Sequence, residues 1–170
     1  MKKYLGIAGI LIVFSILTGC NKNVEYSSID EMIESTAIKV ADVSASELKA
    51  KLDEGEMMLL IDVREHSEHI YGFIPGAVNI CRGVLEFRIG NEEFWDSQFL
   101  YLPEKNEEII VYCKKGKRGV LAANSLKMLG YTNVKNLKGG WKEWEMNYPL
   151  LHEKSLEEAS HGAVEEEGGC

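Results

Sequence analysis

The chain is poor in the patterns that hold metals or nucleic acids. Its four cysteines, Cys20, Cys81, Cys113 and Cys170, form no CxxC pair and no zinc spacing. Its four histidines are scattered. Only His66 and His69 sit three apart, and no nearby cysteine or carboxylate pattern completes a ligand set. The pair reads either as an incomplete metal site or as solvent-facing helix residues. No metal and no cofactor are therefore expected. Positive charge is also scarce: 19 Lys and Arg stand against 27 Asp and Glu, a formal net charge of -8. Such a surface repels nucleic acid and anionic lipid, so no nucleic-acid partner is expected. Long apolar runs are lacking too. The run from Leu5 to Leu17 is too short for a comfortable membrane span.

Against that background one stretch stands out, Val111-Tyr112-Cys113-Lys114-Lys115-Gly116-Lys117-Arg118-Gly119. An apolar run, Ile109 to Tyr112, stops at a cysteine, and a helical pattern begins just after the basic residues. A thiol between a buried strand and a helix N-terminus is favoured as thiolate by the positive charge and by unpaired helix N–H groups. The pattern points to a nucleophilic Cys113 that handles a small anion. Cys81 reads as a small buried hydrophobe and not as a second nucleophile.

The ends differ from the middle. Met1-Lys2-Lys3 and the apolar run precede Leu17-Thr18-Gly19-Cys20, which resembles the bacterial lipobox. That resemblance implies cleavage before Cys20, a lipid on Cys20 and a mature chain of residues 20–170. It implies a protein anchored in the cell envelope, facing the periplasm or the exterior. Asn21 after the cysteine would direct it to the outer membrane in a Gram-negative organism. Residues 20–37 read as a polar tether with one helical turn around Ile29–Ile33. At the other end, residues 151–170 read as an acidic, disordered tail that closes on Gly168-Gly169-Cys170.

Between them, 38–150 reads as one domain. With 170 residues and 45% apolar content there is enough chain for one core. Strands are expected at Ile38–Val40, Met57–Val63, Glu107–Tyr112 and Val134–Leu137, and Gly72–Ile80 reads as a turn feeding another short one. Ser44 and Glu47 make a capping box for a helix that ends near Gly55. A short helix is expected over Glu65–Tyr71, a longer one over Arg118–Leu129 with Gly130 as its cap, and a last one after Gly139-Gly140-Trp141. About five short strands alternating with helices argue for an α/β fold, with a mainly parallel sheet covered on both faces. Asp62 and Arg64 close the second strand. They read either as site residues at the carboxyl edge of the sheet or as an ion pair that fixes a loop.

Four motifs in this order resemble the rhodanese-like family. They are Ile61-Asp62-Val63-Arg64-Glu65, Gly72-Phe73-Ile74-Pro75-Gly76-Ala77-Val78-Asn79-Ile80, the Cys113 stretch, and Leu137-Lys138-Gly139-Gly140-Trp141 followed by Trp144. The resemblance implies a rhodanese-like fold and a sulfurtransferase. Cys113 would take sulfur from a small anionic donor such as thiosulfate, hold it as a persulfide and pass it to a thiol or protein acceptor. Lys114, Lys115, Gly116, Lys117, Arg118 and Gly119 would form the substrate-binding loop, supported by Asp62 and Arg64. The six residues from Cys113 to Arg118 resemble the sulfur-handling loops; rhodanese-fold phosphatases and arsenate reductases carry one residue more. Two positions depart from the family: Phe73 where histidine is usual, and Gly119 where serine or threonine is usual.

Two other readings stand beside this one. The domain can be a binding module on a membrane redox complex, or a thiol-based enzyme acting on selenite or arsenate. Cys170, on its flexible arm, can accept sulfur from Cys113 or resolve it as a disulfide, pair with another chain, or be incidental.

Overall fold

The computed structural model describes residues 24–155. The expectations for the first 19 residues, for Cys20 and for Cys170 lie outside the described residues. Among the described residues no helix is long and apolar enough to cross a membrane.

Five strands form one parallel sheet: β1 (Ala41–Val43), β2 (Leu59–Asp62), β3 (Val78–Asn79), β4 (Glu108–Tyr112) and β5 (Asn133–Leu137), in the order β1-β5-β4-β2-β3. The two central strands, β4 and β2, are buried almost throughout, which suits continuous apolar runs. Alternate residues of β4 feed two cores. Ile109 and Val111 pack with Trp95, Ala123 and Leu126 on one face, and Ile110 and Tyr112 pack with Leu48, Trp141 and Trp144 on the other.

The helices are α1 (Ile29–Ala37), α2 (Ala45–Glu54), α3 (His66–His69), α4 (Leu85–Arg88), α5 (Glu92–Ser97), α6 (Lys117–Met128) and α7 (Gly140–Asn147). The capping box of α2 forms, and Gly55 closes it in the left-handed region at φ 66°. The stretch before Pro103, hard to read in sequence, is α4 and α5, with Trp95 buried and its ring N–H donating to the Ile89 carbonyl.

Three expectations need correction. The first strand is Ala41–Val43, and not Ile38–Val40; Lys39 and Val40 instead turn back onto the end of α1 through bonds to Thr36 and Ala37. The tether holds more than one turn of helix. α1 runs nine residues, is capped by Ser28, and packs on α6. Leu151 to Ser155 are not a loose tail: Phe73 and Glu153 exchange backbone bonds, Trp144 donates to the Leu151 carbonyl, and Ser155 donates to Ile70.

Candidate active site

β4 and β2 end side by side, so Cys113 and the Asp62–Arg64 pair emerge at the same carboxyl edge of the sheet. Cys113 is a free thiol, 2% exposed, at the base of the loop. Gly116, in the left-handed region at φ 87°, turns the chain into α6. The N–H groups from Lys114 to Arg118 have no protein acceptor among the described residues. They are a run of unpaired donors leading into the positive end of α6, suited to an anionic sulfur.

α7 is fastened onto this loop. The first N–H groups of its opening turn reach the loop carbonyls: Trp141 donates to Cys113 at 2.8 Å and Lys142 to Lys114 at 3.0 Å. The approach is close enough to require glycine at 140. A Cβ there would lie 2.1 Å from the Cys113 carbonyl oxygen, and φ is +63°. This is the physical content of the Gly139-Gly140-Trp141 motif.

The basic side chains divide. Arg118 binds Glu68 at 2.9 Å and approaches Glu65 at 3.7 Å. Partial burial pulls the Arg118 guanidinium pKa down, but the Glu68 hydrogen bond and charge, with a smaller share from Cys113, outweigh it and raise it above its usual value. Lys117 turns to α1 and pairs with Asp30. Lys114 reaches Glu68 only at 3.9 Å, and Lys115 makes no ion pair among the described residues. Lys114 and Lys115 line an open cleft of about 620 Å³, together with Arg64, Tyr71, Trp141 and Lys142.

Asp62 and Arg64 form a buried pair at 2.6 Å, 0% and 3% exposed. Arg64 also donates to the Gly72 carbonyl at 2.7 Å, and its guanidinium lies 4.7 Å from the centre of the Trp141 ring. His69 Nδ1 bonds Asp62 Oδ2 at 2.9 Å, the same oxygen that accepts from Arg64 Nη2. Burial pushes the Asp62 carboxyl up, yet hydrogen bonds from His69 and Arg64 and the Arg64 charge together hold it below the usual carboxylate value. Asp62 and Arg64 form the ion pair that one reading expected, which ties the loop between β2 and β3, and Arg64 also stands in the cleft wall. His69 is not solvent-facing, as the sequence suggested. It is 7% exposed, and the described residues contain no group of three or more acidic, histidine or cysteine side chains placed for a metal.

Both family departures have structural partners. The Phe73 ring stacks on His69 at 4.0 Å between centroids, beside the same network. At Gly119 an added Cβ would lie 2.2 Å from Asn136 Oδ1. The Asn136 amide donates to Asp42 at 2.8 Å, while its Oδ1 is buried without a partner. Asn136 thus occupies the space a serine or threonine side chain would need. Sequence reasoning missed Asn136, a buried asparagine in the mixed strand β5 that no local pattern marked out. It also missed Glu68, for which only the position three residues beyond Glu65 hinted at a role.

The sequence matches the Rhodanese-like domain family over residues 44–147. It is 39% identical over 106 residues to the human thiosulfate:glutathione sulfurtransferase, a stretch that covers 60% of this chain and 90% of the relative. A sulfurtransferase of Allochromatium vinosum is 29% identical over 105 residues, covering 62% of this chain and 88% of that protein. The structure of a human single-domain sulfurtransferase superposes with a TM-score of 0.59 at 34% identity, covering 63% of this chain and 96% of that one. The parallel sheet, the cysteine at the end of its central strand and the glycine pair that lets α7 close on the loop agree with these matches: the chain belongs to the rhodanese-like family, whose sulfurtransferases are its relatives.

Proposed function

We propose that this protein is a membrane-anchored, extracytoplasmic sulfurtransferase or persulfide carrier that takes sulfane sulfur from a donor such as thiosulfate onto Cys113. The observation that carries the reading is the loop itself: a free thiol, followed by backbone N–H groups with no acceptor among the described residues, with Lys114 and Lys115 lining the adjacent cleft. In the first half-reaction the Cys113 thiolate attacks the outer sulfur of thiosulfate. A bond forms from Sγ to that sulfur, the S–S bond of thiosulfate breaks, and sulfite leaves with the electron pair. The loop N–H groups hold the terminal persulfide sulfur as it gains negative charge. Lys114 and Lys115 draw in the anionic donor against an acidic background of net charge -8. In the second half-reaction a thiol of a small molecule or a protein takes the sulfur. The name of the human relative supports glutathione as one such acceptor.

The extracytoplasmic placement rests on Leu17-Thr18-Gly19-Cys20 and the apolar run before it. Sulfite release from thiosulfate, dependent on an added thiol, tests the activity; it is expected to vanish in Cys113→Ser. Fractionation tests the anchor: the protein is expected in membranes, and Cys20→Ser is expected to release it. Turnover in Cys113→Ser equal to that of the parent, or membrane binding untouched by Cys20→Ser, would contradict the corresponding half of the reading.

A further inference from the structure

The two edges of the sheet carry opposite surfaces. At the carboxyl edge stand Cys113, its loop and the charged cleft. The amino edge is where the chain enters each strand, and there large apolar side chains stand in solvent. Ile38 precedes β1, Met57 precedes β2, Phe99 and Tyr101 lie in the segment leading to β4, and Met128 ends α6 ahead of β5; each is exposed by 80% or more. A single exposed apolar residue is ordinary, but a set of this size gathered on one edge marks a contact surface.

Two bonds join these segments. Lys127, beside Met128, donates to the Lys39 carbonyl at 2.6 Å, and Lys105 donates to the Leu129 carbonyl at 3.0 Å. The surface therefore runs from the end of α1, across the end of α6, to the loop that follows Tyr101. Phe99 stands on it with φ 57°, in the left-handed position after α5 that glycine usually fills, and the Phe99 and Leu100 N–H groups bond back to Asp96 and Trp95.

We propose that this amino edge docks on the zwitterionic headgroup layer of the membrane that holds the Cys20 lipid, and so turns Cys113 toward the aqueous side. The inference rests on the lipid-anchor reading above. Asp30 pairs with Lys117 at the start of α6, and Lys39 meets Lys127 at its end, so α1 runs along α6 toward the amino edge. Eight positions separate Cys20 from Ser28, the cap of α1. Extended, they reach about 28 Å, against about 14 Å for the nine residues of α1. The tether is long enough to turn back along α1 and set its lipid at that edge. Aromatic rings with lysines among them suit a membrane interface, where the rings enter and the ammonium groups stay at the headgroups. Glu104 and Glu107 in the same loop offset the lysines, which fits zwitterionic and not anionic headgroups.

The test places the full lipidated chain in phosphatidylcholine vesicles whose acyl chains carry bromine, a short-range quencher of tryptophan. A tryptophan is introduced at this edge (Tyr101→Trp) or in the cleft wall at the opposite one (Tyr71→Trp), and the parent's signal from Trp95, Trp141 and Trp144 is subtracted. Tyr101→Trp is expected to lose about half or more of the added fluorescence relative to unbrominated vesicles, and Tyr71→Trp none of it. Phe99→Asp in the Tyr101→Trp chain is expected to restore the fluorescence while the chain stays bound by its lipid. Equal quenching at the two positions, or none at Tyr101→Trp in a chain that sediments with the vesicles, overturns the docked edge and leaves the anchor standing. A chain that does not bind the vesicles overturns both. A blue shift of Tyr101→Trp that grows with protein concentration in the Cys20→Ser chain, without vesicles, assigns the edge to a second copy of the chain and overturns the bilayer as its occupant.

Discussion

The Cys113 loop and the Asp62–Arg64 cluster end adjacent strands, and both look like charged active-site motifs in sequence. Their physical states are opposite. Arg64 is 3% exposed and held through Nε and Nη2 by Asp62 and the Gly72 carbonyl, with the Trp141 ring 4.7 Å from its guanidinium. The lysines of the loop are exposed, and its backbone N–H donors have no acceptor among the described residues. A buried, paired charge holds a shape, and a donor left unpaired by the fold can hold a ligand.

Removing a charge should therefore cost stability on one side and function on the other. The largest stability effect is expected at Asp62→Asn, which leaves Arg64 buried without its partner: about 3–5 kcal/mol by urea or thermal unfolding. The same variant sharpens the comparison in acid. The folded Asp62 pKa is depressed, so its contribution is fully present above the unfolded value of about 3.9 and is lost as pH falls through the folded one. Below about pH 4 the parent should lose stability more steeply than Asp62→Asn; parallel acid limbs would show that the network does not hold the carboxylate ionised.

On the loop side, Gly140→Ala places a Cβ 2.1 Å from the Cys113 carbonyl oxygen and forces α7 and the loop apart. A displacement on the order of 1 Å is expected to cut turnover about 100-fold. Unchanged turnover would mean that the α7 contact does not set the loop.

Gly119→Ser comes next. Its Cβ meets Asn136 Oδ1 at 2.2 Å, so it should cost about 1–3 kcal/mol. Much of that cost should disappear in the Asn136→Ala background, which removes both the obstacle and the buried oxygen that lacks a partner. A double-mutant cycle reads the coupling directly; additive losses would refute the steric account of Gly119. The smallest effect is expected at Asp30→Asn. It frees Lys117 from an exposed ion pair and should leave the unfolding midpoint unchanged, with at most a modest change in the thiosulfate KM.

The same contrast explains what the sequence made legible. Periodicity located β2, β4 and α6, because long buried runs and a regular apolar stripe write themselves into the chain. The cysteine, the basic loop and the glycine pair were legible because backbone geometry demands particular residues there. Less was visible where distant residues meet. Asp62 and Arg64 left two readings open, and nothing local in sequence shows their burial or the bond to Gly72. His69 was placed in solvent because nothing local shows that Asp62 lies beneath it. Gly119 looked like a missing hydroxyl until Asn136, 17 positions on in β5, was found in its space. α1 was underestimated because its partner, α6, begins far along the chain.

The most direct measurement for the central claim is the intact mass of the protein after exposure to thiosulfate. The Cys113 loop is expected to gain one sulfur atom, to lose it on addition of cyanide, and to gain none in Cys113→Ser. A chain that takes up no sulfur from thiosulfate, or one in which Cys113→Ser still takes it up, would contradict the account.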